Sequence, residues 1–167
     1  MTGGRTRVFV ALVAAAALAA LVCPPPARAT PKPWEGRYQM MTYASRKAGT
    51  SAASRQREDD FGATFTLATE CSARTCVATV VDGPRPGNPT VPWPPRYTWN
   101  GSEWTLSYDW MWDCLLGTNS QKEWARATSF VSYQPQPDGS LKGTWHTDIA
   151  EGGCRGSVVM PIAAIPA

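Results

Sequence analysis

The sequence predicts an all-β fold: a single antiparallel β-barrel of about eight strands, with a sandwich as the alternative, stapled by two disulfides. Three observations carry this. Apolar residues recur with period two along most of the chain beyond residue 30, and no window of about 15 residues keeps a helical period of 3.6. Turn residues also punctuate the chain at short intervals. A barrel is preferred because closure hides the edges of strands too apolar to leave exposed.

The first 29 residues read as a cleaved secretory signal peptide. Arg5 and Arg7 form a short cationic region, and Val8 to Val22 run for 15 residues without a charge. Pro24-Pro25-Pro26 ends that segment, and Ala27-Arg28-Ala29 supplies small residues before a cleavage site. A spanning helix needs about 20 apolar residues, so the segment is short for an anchor. Cys23 is poorly placed for acylation, with Val22 before it and Pro24 after. The predicted organisation is therefore a signal peptide over 1–29 and one disulfide-bonded β domain over 30–167. That domain should have no stable membrane span and should be secreted or held in the cell envelope.

The first predicted strand is Trp34 to Tyr43. Arg46 to Asp60, polar and rich in Ser and Ala, reads as a mobile loop. Phe61, Ala63, Phe65 and Leu67 then alternate with Gly62, Thr64 and Thr66 in a strand that runs into Cys71, and Cys76 to Val81 is short and β-branched. Asp82 to Pro95 holds six prolines in 14 residues, an extended and unpaired connection. Asn100-Gly101 is a two-residue hairpin signal. It would pair Tyr97 with Trp104 and Trp99 with Ser102, placing the aromatics of both strands on one face. In the next strand Trp104, Leu106, Tyr108, Trp110 and Trp112 point one way, and Glu103, Thr105, Ser107 and Asp109 the other. Glu123 to Tyr133, Leu141 to Ile149 after the turn Pro137-Asp138-Gly139, and Ser157 to Pro161 complete the set.

Four cysteines follow the signal peptide: Cys71, Cys76, Cys114 and Cys154. An even number in an exported chain reads as two disulfides. Of the three possible connectivities, Cys71–Cys76 with Cys114–Cys154 is favoured, because the close pair flanks a short turn and can meet in any fold. A zinc site on Cys71 and Cys76 lacks partners, since His146 is the sole histidine. No metal and no cofactor is expected.

Charge excludes one class of partner. The whole chain has 16 basic and 13 acidic residues, but removing residues 1–29 takes away Arg5, Arg7 and Arg28 and no acid. The balance becomes 13 against 13, so nucleic acid and anionic lipid lose their electrostatic argument.

Candidates for chemistry are few. His146 shares a strand face with Thr144 and Asp148, but such neighbours point in parallel and seldom converge, and the face is polar. Glu58-Asp59-Asp60 lacks the alternating ligand spacing of a calcium loop. Asn100-Gly101-Ser102 matches a glycosylation sequon that the hairpin turn already explains. The eight tryptophans are the compositional oddity, and all lie beyond residue 30. Trp34, Trp104 and Trp145 are expected to fill the core. Trp93, Trp110 and Trp112 are expected at a barrel mouth, where exposed rings bind apolar or carbohydrate ligands.

Several short patterns accumulate: Trp34-x-Gly36-x-Tyr38, Cys71-x4-Cys76-Val77-Ala78, Tyr97-x-Trp99-Asn100-Gly101-x-x-Trp104, Gly139-x-Leu141-x-Gly143-x-Trp145 and Cys154-x-Gly156. With the leader rich in Ala, Pro and Arg, the chain resembles small secreted proteins of mycobacteria and related actinobacteria whose functions are unassigned. The resemblance implies export and an envelope or extracellular setting, and carries over no catalytic residue. The expected function is binding of a small molecule, a glycan or an envelope protein. The alternative is a small secreted hydrolase or isomerase that uses a carboxylate with His146.

Overall fold

The computed structural model describes residues 33–73, 75–117 and 122–167. The expected signal peptide with Cys23, and Arg74 in the predicted turn, lie outside these residues. Alternation along the chain becomes eight strands: β1 (Gly36–Thr42), β2 (Phe61–Cys71), β3 (Cys76–Asp82), β4 (Arg96–Trp99), β5 (Trp104–Cys114), β6 (Glu123–Pro135), β7 (Leu141–Ile149) and β8 (Gly156–Pro166). Each pairs antiparallel with the next, and β1 pairs with β8, so the sheet closes into a barrel. The described residues contain no α-helix.

β6 shows how period two becomes an inside and an outside. Ala125, Ala127, Ser129, Val131 and Tyr133 are buried, while Arg126, Thr128 and Phe130 between them are exposed. The interior divides into two packed regions. One gathers Trp34, Trp104, Tyr97, Tyr133 and Leu141 at the end where β5 begins. The other gathers Ala125, Ile149 and Val158 around the Cys114–Cys154 disulfide where β5 ends. The second disulfide, Cys71–Cys76, joins directly opposed residues of β2 and β3 across a tight turn.

Three details differ from the expectation. The β4–β5 hairpin pairs Trp99 with Trp104 and Thr98 with Thr105, two residues out of the register a two-residue Asn-Gly loop would set. The Asn100 side chain is the cause: its Oδ1 accepts the N–H groups of Ser102 and Glu103, both at 3.0 Å, and builds a longer turn. A shift of two keeps every side chain on its face, so the inward aromatics stay inward. β8 runs past Pro161 to Pro166, and it is β1 that yields to the proline. The Tyr43 N–H donates to the Pro161 carbonyl at 2.9 Å, but Pro161 has no N–H to return, and β1 ends at Thr42. The stretch from Arg46 to Asp60 is packed rather than loose. Two 3-10 turns (Ala44–Arg46 and Ala52–Arg55) bury Ala44, Ala53, Ser51 and Ser54. The Ser51 hydroxyl donates to the Cys154 carbonyl at 2.6 Å, tying this cap to the disulfide end of the barrel.

Candidate functional site

The barrel opens because β4 is short. β4 has four residues and its partner β5 eleven, so the ladder between them holds Thr98↔Thr105 and Trp99↔Trp104 and then stops. Residues 83–95, with their six prolines, cross the gap as a strap. Proline fixes φ and lacks the donor a ladder needs, so the strap is tied to β5 by side chains. Asn88 Nδ2 donates to the Met111 carbonyl at 2.8 Å, and Thr90 Oγ1 accepts the Met111 N–H at 3.0 Å. Asn88 Oδ1 in turn accepts the Thr90 N–H at 2.9 Å. Gly83 starts the strap at φ +143°, and a Cβ there would collide with the Phe65 ring.

Beneath the strap lies a cavity of about 520 Å³, within the range of roughly 300–1,000 Å³ typical of small-molecule sites. Met40, Phe65, Val80, Leu106, Val131 and Ile162 form its apolar walls, one from each of six strands. Trp93 and its flanking prolines roof it, with the Trp93 ring 6.4 Å from that of Phe65. Arg96 and Ser107, both exposed, flank the split between β4 and β5 where the cavity reaches the surface. Arg85 and Arg96 are the charged members of the lining, which among the described residues holds no carboxylate and no histidine.

The floor is aromatic. Trp34 enters the barrel ahead of β1 and is held by Thr69, whose Oγ1 accepts its N–H at 3.0 Å while the hydroxyl donates to its carbonyl at 2.9 Å. The Trp34 ring lies 4.9 Å from those of both Tyr97 and Tyr133. These two tyrosines and Tyr108 line the cavity. Burial raises the pKa of Tyr97 and of Tyr133 well above the ordinary phenol value. Burial likewise pushes Tyr108 up to about 12, with the neighbouring polar groups of Ser129 and Trp145 acting the other way. All three are neutral at physiological pH.

Behind the cavity sits a buried polar knot. The Nε1–H groups of Trp110 and Trp145 donate to Ser129 Oγ at 2.9 and 3.1 Å. With both lone pairs of that oxygen engaged, its own proton points to Thr147 Oγ1 at 2.8 Å. Ser129 and Thr147 are both fully buried. Trp110 and Trp112, with rings 5.3 Å apart, pack with the disulfide-end core and are not part of the cavity lining. Of the three tryptophans expected at a mouth, the structure thus brings Trp93 to the cavity and leaves Trp110 and Trp112 with the second core. Trp34 and Trp104 are buried, and Trp145 is half-buried between the two regions.

The remaining candidates lie elsewhere. His146 is on the outer face, with Nε2 3.0 Å from Asp148 Oδ1. Glu58 pairs with Lys47 at 2.6 Å. Asp60 accepts the Ser45 N–H at 2.9 Å, and hydrogen bonding to Ser45 holds its carboxyl below the usual carboxylate range. No cluster of metal-ligating side chains occurs among the described residues. Sequence reasoning missed the grouping of Tyr97, Tyr108 and Tyr133. Each stands at an inward position of its strand, but only the register across β4, β5 and β6 shows that they meet.

No protein-family model matches the chain, and no curated protein matches it. In fold it is similar to solved structures of the PknI sensor domain of Mycobacterium tuberculosis. The monomer form superposes with a TM-score of 0.58 at 17% identity, covering 83% of this chain and 90% of that one. The dimer form gives 0.50 at 20% identity, covering 71% and 84%. At these identities the likeness is one of fold.

Proposed function

We propose that this chain is an exported binding module that takes a small, mainly apolar ligand into the barrel beneath the proline strap. The observation that carries the reading is the cavity itself. It is large enough for a small molecule, walled by apolar side chains from six strands and roofed by Trp93. Filling it would release water from apolar surface at about 25 cal/mol per Å². A carbohydrate is less well served, because the walls offer few hydrogen-bonding groups for its many hydroxyls. Ligand contact falls to Trp93, while Trp110 and Trp112 support the scaffold behind the Ser129 knot. The hydrolase alternative has little to work with, since His146 lies on the outer face with Asp148. Two disulfides and the leader-like N-terminal sequence support an envelope or extracellular setting. The fold likeness to the PknI sensor domain is compatible with an exported domain that receives a ligand.

The test is titration of the purified protein with the neutral apolar fluorophore N-phenyl-1-naphthylamine. Saturable enhancement is expected, together with a loss of ten-fold or more in affinity (about 1.4 kcal/mol) for Ala63→Trp, which places a large ring in the cavity. Binding that does not saturate, or that ignores Ala63→Trp, would refute the reading.

A further inference from the structure

We propose that the ligand carries one uncharged hydrogen-bonding group, a hydroxyl or a carbonyl, at the buried end of its apolar body, and that Tyr97 and Tyr133 bind that group at the cavity floor with Tyr108 beside them. This rests on the cavity reading above and specifies the ligand class for the same site.

Three observations converge. Tyr97 and Tyr133 are 6% and 4% exposed, both line the cavity, and neither hydroxyl makes a hydrogen bond to the described residues. Buried phenols ordinarily find a partner. Among the described residues, the sealed side-chain polar atoms that lack one are the indole nitrogens of Trp34, Trp99 and Trp104 and Oδ1 of Asp113. The two hydroxyls are not among these, so they open onto the space their rings line.

The rings of Tyr97 and Tyr133 lie 5.8 Å apart, and Tyr108 lines the same cavity. A ligand oxygen that reaches this floor meets two or three neutral O–H groups, each able to donate or accept.

Charge then selects the head group. Arg85 and Arg96 are exposed members of the lining near the surface, and no ionised group lines the floor. A carboxylate at the floor would lose its hydration with no cation to replace it, and an ammonium would find no carboxylate. An alcohol, ketone or ester loses far less and recovers it from the tyrosines.

The experiment displaces N-phenyl-1-naphthylamine with a matched ten-carbon series: decan-1-ol, decan-2-one, n-decane, decanoate and decyltrimethylammonium. Tyr97→Phe, Tyr133→Phe and the double variant remove the hydroxyls and keep the rings. The double variant should bind decan-1-ol roughly 3- to 30-fold more weakly and bind n-decane as wild type does. In the wild-type protein, the carbonyl stretch of bound decan-2-one should lie below its frequency in hexane, a readout that does not depend on the variants folding. Affinity for decan-1-ol should not change between pH 5 and 9, because the phenols do not titrate there. An unshifted carbonyl, equal losses for alcohol and alkane, or tightest binding of decanoate or the ammonium would overturn this inference while leaving the cavity reading standing. Failure of the fluorophore itself to bind would overturn both.

Discussion

Ser129→Ala is the substitution that tests most of the interior at once. It removes one oxygen from a fully buried position and strands two indole donors, Trp110 Nε1 and Trp145 Nε1, which lie 2.9 and 3.1 Å from it. A buried donor left without its acceptor costs about 1–3 kcal/mol, so the pair costs about 2–6 kcal/mol. Against a domain stability of about 5–15 kcal/mol, the change is large. Thr147→Val removes the acceptor at the far end of the chain, leaves both indoles satisfied, and should cost about 1 kcal/mol. The assay is urea unfolding at neutral pH with the m-value held in common. Adding Trp110→Phe to Ser129→Ala removes one orphan together with its acceptor, so the double variant should cost clearly less than the sum of the two singles. A Ser129→Ala protein within about 0.5 kcal/mol of wild type would show that this knot does not hold the interior as argued.

Three further outcomes follow from other parts of the barrel. The Cys114–Cys154 bridge closes a separation of 40 residues and Cys71–Cys76 one of 5, so on the chain-entropy model their loss should cost about 4 and about 2 kcal/mol. Urea unfolding of the two paired Cys→Ala variants checks the order, and a larger cost for the short loop would contradict it. In alkali the tyrosines should unfold the protein. Below about pH 10 they are protonated in both states, and above it the unfolded chain loses protons that the folded barrel retains, so stability falls by about 1.4 kcal/mol per pH unit per tyrosine. Tyr108 contributes up to about pH 12 and Tyr97 and Tyr133 beyond it. Tyrosinate absorbance should therefore rise in step with loss of folded circular dichroism. Finally, His146→Ala should leave stability within about 0.5 kcal/mol and fluorophore binding unchanged, since its ring is on the outer face. Loss of binding in that variant, with the fold intact, would place His146 at the site.

Period two was enough to read the strands and their inward faces, and their apolar edges favoured closure into a barrel over the sandwich that stayed open as the alternative. Trp104 to Trp112 alternates over a stretch too long to mistake, and 3.6 periodicity is absent beyond residue 30. Depth along the barrel axis was not legible. Trp104, Trp110 and Trp112 share one inward face in the sequence, yet Trp104 packs against Trp34 at one end and Trp110 and Trp112 pack near the Cys114–Cys154 bridge at the other. What decides is where each neighbouring strand starts and stops, and the shortness of β4 is set by Asn100 and the prolines rather than by hydrophobic pattern. The buried role of residues 44–55 was hidden for a related reason. Ser51 and Ser54 look like solvent-facing loop residues until the carbonyls of Cys154, Gly49 and Ser51 are placed beside them.

The strap gives the barrel two separable sets of bonds. Eight ladders hold the wall, whereas Asn88 and Thr90 tie the roof to β5 at the main chain of Met111. Lifting the roof therefore breaks a few side-chain hydrogen bonds and exposes Trp93, and no strand has to leave the sheet. On the proposed reading, the rate at which a guest enters and leaves is set by residues that contribute little to global unfolding. Thr90→Val would loosen the gate and speed exchange in both directions, while leaving the equilibrium between empty and filled barrels, and the melting of the wall, almost as they were.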